Sequence, residues 1–131
     1  MDNSEDQFQT LAANLIVRVN HALKETNKMD AIGLLLFQDD TVQPFISIIE
    51  GNVGEAINII QANLIPVVKE KRPVAGCLAY PNYTDEEVVA YLENNEHYIA
   101  KYRIPVLSNP ELHLDMENIE IEDGEIILFG E

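Results

Sequence analysis

Apolar positions recur at helical spacing from the start of the chain. Phe8, Leu11, Leu15, Val19 and Ala22/Leu23 make one face, which predicts a helix from Ser4 to about Thr26–Asn27. Ser4, with Gln7 three residues on, has the form of a capping box. The pattern then changes. Ala31-Ile32-Gly33-Leu34-Leu35-Leu36-Phe37 is short and wholly apolar, as expected of a strand buried on both faces. Gln38-Asp39-Asp40-Thr41 supplies a turn, and Phe45-Ile46-Ser47-Ile48-Ile49 returns as a second strand. Pro44 cannot donate a ladder hydrogen bond, so it is expected at the start of that strand.

Asn52 can cap a second helix, with Glu55 in its first turn. Val53, Ala56, Ile57, Ile60, Leu64, Val67 and Val68 keep helical spacing, but Pro66 interrupts them. An interior proline costs about 3 kcal/mol, which predicts a kink or stop near Leu64. Val74 to Tyr80 is a small, apolar segment between Pro73 and Pro81, and it is expected as a central strand.

Residues 84–106 admit two structures. Thr84 with Glu87 makes a capping box, and Val88, Leu92, Ile99 and Tyr102 fit a helix. The alternation of Tyr98, Ala100, Tyr102 and Ile104 with Ile99, Lys101 and Arg103 is strand period. With Val88–Leu92 rich in strand formers and Asn94-Asn95-Glu96 usable as a turn, a hairpin of strands 88–93 and 97–104 is favoured. Such a hairpin brings Tyr91 beside residues 98–100. At the C-terminus, Asn118–Glu122 alternates, Asp123-Gly124 is a preferred two-residue turn, and Glu125–Phe129 returns. That hairpin pairs Ile121 with Ile126 and Ile119 with Leu128. Its other face carries Glu120, Glu122, Glu125, Ile127 and Phe129.

These elements predict an α+β fold. Its antiparallel sheet has about five strands and two main helices, in the order α-β-β-α-β-β-β, plus the C-terminal hairpin. The alternative makes residues 84–103 a third helix. The order of elements over residues 4–106 resembles the layout of roadblock-type dimerising domains and other profilin-like folds. The resemblance implies an antiparallel sheet that carries helices, and it assigns no residue a role.

Composition narrows the function. A length of 131 residues with 47% hydrophobic content suits one domain and one core, with Met1–Asn3 expected to be loose. The 23 acidic and 8 basic residues leave a net charge of −15, which repels phosphate and so argues against nucleic acid or an anionic membrane as partner. From Ile104 onward there is no Lys or Arg. The acidic start Met1–Asp6 is unlike a signal peptide, the longest apolar run is too short to cross a bilayer, and the lone Cys77 suits a reducing compartment. A cytoplasmic location is expected.

Candidate chemistry is sparse. Gly51-Asn52-Val53-Gly54 lacks the lysine of a phosphate-cradling loop and is better explained as a turn before a helix. His21, His97 and His113 follow no ligand spacing, and Cys77 has no neighbour that would activate a thiol. The acidic tail departs from the calcium-loop pattern, since Asp123 falls where the glycine belongs. Lys69, Lys71 and Arg72 suit the end of the second helix. No catalytic, metal or cofactor site is therefore assigned.

The leading expectation is a non-enzymatic interaction or regulatory module, self-associating as a homodimer through Glu120, Glu122, Glu125, Ile127 and Phe129. Large apolar groups there share a surface with acids and need a cover. One alternative is an acidic inhibitor of a basic protein, of the immunity-protein kind, whose carboxylates mimic phosphate. Another is a small enzyme using Glu50, Tyr80, Tyr83, Glu93 and His97.

Overall fold

The computed structural model describes residues 4–48, 52–108, 111–125 and 128–129. Met1–Asn3, Ile49, Glu50, Gly51, Ile126 and Ile127, each named above, lie outside them. Helix α1 (Ser4–Thr26) buries Phe8, Leu11, Leu15, Val19 and Leu23, the expected stripe, together with Ala12 and Ile16. Asn27 ends it in a left-handed conformation (φ 60°), its N–H donating to the Leu23 carbonyl at 2.9 Å. The Gln7 side chain accepts a hydrogen bond from Asn94, 87 residues away.

Strand β1 (Ala31–Leu36) is buried at all six positions. Ile32, Leu34 and Leu36 face the α1 core, while Ala31 and Leu35 join the core beneath the second helix. A tight turn follows, in which the Asp39 carboxylate accepts from Thr41 N–H at 3.1 Å and from its hydroxyl at 2.6 Å. Those bonds hold the Asp39 carboxyl below its ordinary pKa. Strand β2 (Val42–Ser47) begins before Pro44 rather than after it, with Pro44 opposite Leu34. The outermost position of β2 explains this, because on an edge strand a proline's missing donor can face away from the partner strand.

Helix α2 (Val53–Lys71) is capped by Asn52, whose side chain accepts from Gly54 N–H at 2.7 Å. It continues past Pro66 instead of stopping near Leu64. Pro66 is exposed, so its ring and lost hydrogen bond face solvent. Ala56, Ile60, Leu64 and Val68 stay on the buried stripe and offset the local penalty. Gly33 lets α2 approach closely, since a Cβ there would stand 2.5 Å from Leu64 Cδ1. Arg72 closes the helix in a left-handed conformation (φ 49°).

Strand β3 (Ala75–Asn82) is central and runs through Pro81. Its pairing with β1 ends at Ala79, so Pro81 has a neighbour on one side only. Residues 84–106 hold no helix. Strands β4 (Glu87–Asn94) and β5 (Ile99–Leu107) form the favoured hairpin. Its turn takes one more residue than expected, with His97 left-handed (φ 66°), so Tyr91 pairs with Lys101 rather than with residues 98–100.

The main sheet order is β2-β1-β3-β4-β5, all antiparallel. The outer side of β5 is sealed by two short strands, β6 (His113–Leu114) and β7 (Glu120–Glu122). The expected C-terminal pairing is corrected here. Ile121 pairs with Tyr102 of β5, and Ile119 packs on the α1 core while Leu128 is buried in the α2 core across the sheet. Placing Glu120 and Glu122 opposite Arg103 and Lys101 satisfies charge that a self-paired acidic hairpin would leave in repulsion. Gly124 lies flat on β5, and Leu128 reaches the space above Gly76, where its N–H donates to the buried Glu93 carboxylate. Among the described residues no helix is long and apolar enough to cross a membrane.

Candidate interaction surface

The sheet has two ends in the strand order, and they are finished differently. Beyond β5 the C-terminal segments complete the ladder. Beyond β2, among the described residues, nothing pairs. Helix α1 packs on β1, β3, β4 and β6, and α2 packs on β1, β2 and β3. The α2 side of β2 is thus covered, with Phe45 packed against the α2 core. Its other side lies past the flank of α1.

Pairing of Ile46 with Ile32 sets Ile46 on the α1 side, and Pro44 shares that side by alternation. Ile46 is 65% exposed, and Ile48, just past the strand, is 67% exposed. A groove of about 230 Å³ separates Pro44 and Ile46 from Arg18, His21 and Ala22 of α1, with Ile32 and Asp30 also lining it. Arg18 Nε is buried there without a hydrogen-bond partner among the described residues. In a chain of net charge −15, this strip holds one acid, Asp30, against Arg18 and His21.

The expected interaction residues fall elsewhere. Glu120, Glu122 and Glu125 are exposed, as anticipated. Phe129 is not: it packs against the α2 core beside Gly76. Ile121, expected to pair with Ile126, lies opposite Tyr102 on the rim of β5 and is 66% exposed. Val17, Met116 and Ile121 are bare as well, but Ile46 and Ile48 are the exposed apolar pair on the open edge of the sheet. Their signal was present in Phe45-Ile46-Ser47-Ile48, which is apolar on both faces, but only the strand order reveals which face is uncovered.

The acidic rim is partly answered. Arg103 binds both Glu87 oxygens, at 2.8 and 3.1 Å, and also meets Glu122 at 3.3 Å and Asp85 at 3.7 Å. Hydrogen bonding to Glu87 and Glu122 raises the Arg103 pKa, so it stays charged. Lys101 lies 3.8 Å from Glu122 and 5.7 Å from the Tyr91 ring centre. Tyr91 in turn stacks with Tyr80 at 6.3 Å. Burial, then a hydrogen bond with Tyr91, pushes the Tyr80 hydroxyl up to about 12.

The residues considered for catalysis do not converge. Tyr80 lies on the α2 side of the sheet, whereas Tyr83 lines a cavity at the end of α1. Glu93 is 1% exposed beneath Leu128, and His97 sits in the β4–β5 turn at the opposite end of β4 from Tyr83. Cys77 is fully buried, and burial raises its thiol to about 12. His21 lines the β2 groove, and His113 Nδ1 lies 2.7 Å from the Glu111 carbonyl. Among the described residues no three His, Cys, Asp or Glu side chains gather to hold a metal ion.

No protein family, curated protein or solved structure matches the chain.

Proposed function

We propose that this protein is a non-enzymatic interaction module that self-associates through the outer strip of β2. The observation that carries this is the solvent exposure of Ile46 and Ile48 on the open edge of the sheet, beside a groove that α1 does not fill. Fully burying one such side chain contributes about 1.5–3 kcal/mol, and in a symmetric pair each copy contributes the same patch. Pro44 interrupts the row of edge donors, so the association is through side-chain packing rather than a continued strand ladder. The charge of −15 on each copy opposes it, and salt screens that repulsion.

Light scattering over a concentration series, at low and high salt, tests the proposal. A concentration-dependent dimer that strengthens with salt, and that Ile46→Asp returns to monomer without loss of helix signal, is expected. A monomer throughout the series overturns it.

A second reading, an acidic module for a basic protein, is favoured by the exposed Glu117, Glu120, Asp123 and Glu125 in a segment without cations of its own. The two separate by salt dependence. Charge-driven binding weakens as salt rises, whereas packing of β2 strengthens.

A further inference from the structure

At the other end of the molecule, β3 and β4 run on beyond the end of α1. The α1-side residues Pro81, Val88 and Val106 there line a cavity of about 280 Å³ together with Leu23, Met29 and Leu112. This volume is near the lower bound of small-molecule pockets, about 300 Å³. The body of the cavity is hydrocarbon, and its mouth is not. The turn joining β3 to β4 puts both Tyr83 and Glu86 in the lining, and their backbones meet where Glu86 N–H donates to the Tyr83 carbonyl at 3.4 Å.

Three features of that lining bear on the ligand. Tyr83 is a large aromatic residue left 61% exposed although it borders an apolar cavity. Glu86 is exposed, and no ion pair engages it among the described residues. Its left-handed backbone (φ 51°) is held by the Val106 N–H, which donates to the Glu86 carbonyl at 2.9 Å. An aromatic face beside a carboxylate recognises an ammonium group, because the ring quadrupole and the anion both attract positive charge. The field of a chain at −15 concentrates cations and repels anions at the same mouth. Lys28, also in the lining, is exposed on a flexible stem that can swing into solvent.

We propose that this cavity binds a small ammonium compound with a hydrocarbon body. The body occupies the space over Pro81, Val88 and Val106, and the ammonium lies between the Tyr83 ring and the Glu86 carboxylate. This site is separate from the β2 strip, and neither needs the other.

Benzylamine, benzyl alcohol and benzoate serve as probes of one shape and three charges, followed by the methyl resonances of Met29, Val88 and Val106. Benzylamine is expected to shift all three methyls and to bind about two- to fivefold more tightly than benzyl alcohol, with benzoate weakest. Glu86→Gln is expected to reduce that preference by removing the anion, and Tyr83→Ala to weaken binding of benzylamine and benzyl alcohol and narrow the gap between them. Val106→Phe, which fills the cavity, is expected to abolish binding of both. Absence of shifts at these methyls with millimolar benzylamine overturns the proposal. So does equal binding of the three probes, or a benzylamine preference that Glu86→Gln and Tyr83→Ala both leave undiminished.

Discussion

The side-chain amide of Asn94 donates to Gln7 Oε1 at 3.0 Å, joining the first turns of α1 to the far end of β4. The same side chain organises the β4–β5 turn, for its Oδ1 accepts from the N–H groups of Glu96 and Tyr98, each at 3.0 Å. Asn94 is fully buried, although Glu96 and Tyr98 are exposed and Gln7 is half-buried.

Replacement of Asn94 by Ala removes three hydrogen bonds and is expected to destabilise the fold by about 1–3 kcal/mol. Gln7→Ala leaves both turn bonds in place and loses the bond between α1 and β4, so it should cost less than Asn94→Ala. Urea unfolding of the two variants checks the order. An Asn94→Ala variant as stable as Gln7→Ala would show that the turn stands without this side chain.

Gly124 is the point where the C-terminal segment crosses β5. A Cβ there would stand 2.9 Å from the Ala100 carbonyl carbon and 3.0 Å from its oxygen, and backbone cannot yield as a side-chain end can. Gly124→Ala is expected to lift the following segment, break the bond from Leu128 N–H to Glu93 and leave a buried carboxylate less well satisfied. The measurement is amide hydrogen exchange at Leu128, which should speed up while Leu34 and Cys77 stay protected.

Alkaline titration reads the burial of Tyr80. Tyr80 ionises at about 12 in the fold against an ordinary value of 10.0, so folding favours its neutral form. That contribution is complete below pH 10 and is lost as pH rises toward 12. Burial raises Tyr102 in the same direction. The ultraviolet phenolate signal should show a late step that Tyr80→Phe removes, and stability should decline between pH 10 and 12 less steeply in that variant.

Several elements were legible because their cause is local. The stripe Phe8, Leu11, Leu15, Val19 and Leu23 needs only helical spacing and an apolar neighbour. The six-residue run of β1 needs only burial on both faces. The β4–β5 hairpin won over a helix because β4 pairs along its length with β3 on one side and β5 on the other. The C-terminus misled for the same kind of reason. Asp123-Gly124 is a strong local hairpin signal, yet Lys101 and Arg103, some twenty residues upstream, offered the acidic strand a better partner.

The sequence by itself determined the apolar stripe of α1, the buried strands β1 and β3, where Asn27 and Asn52 bound the helices, and a net charge of −15. Spacing, capping and charge act within a few residues or sum over the whole chain, and both can be read along a line. Only the tertiary structure decided that β2 is the open edge and that Ile46, rather than Phe129, is left bare. It also decided that Pro66 is tolerated and that β3 and β4 overhang α1 to leave a cavity beside Tyr83. Each of these depends on which distant surface arrives to cover a residue, and burial by a non-local partner leaves no periodic trace in the residue it covers.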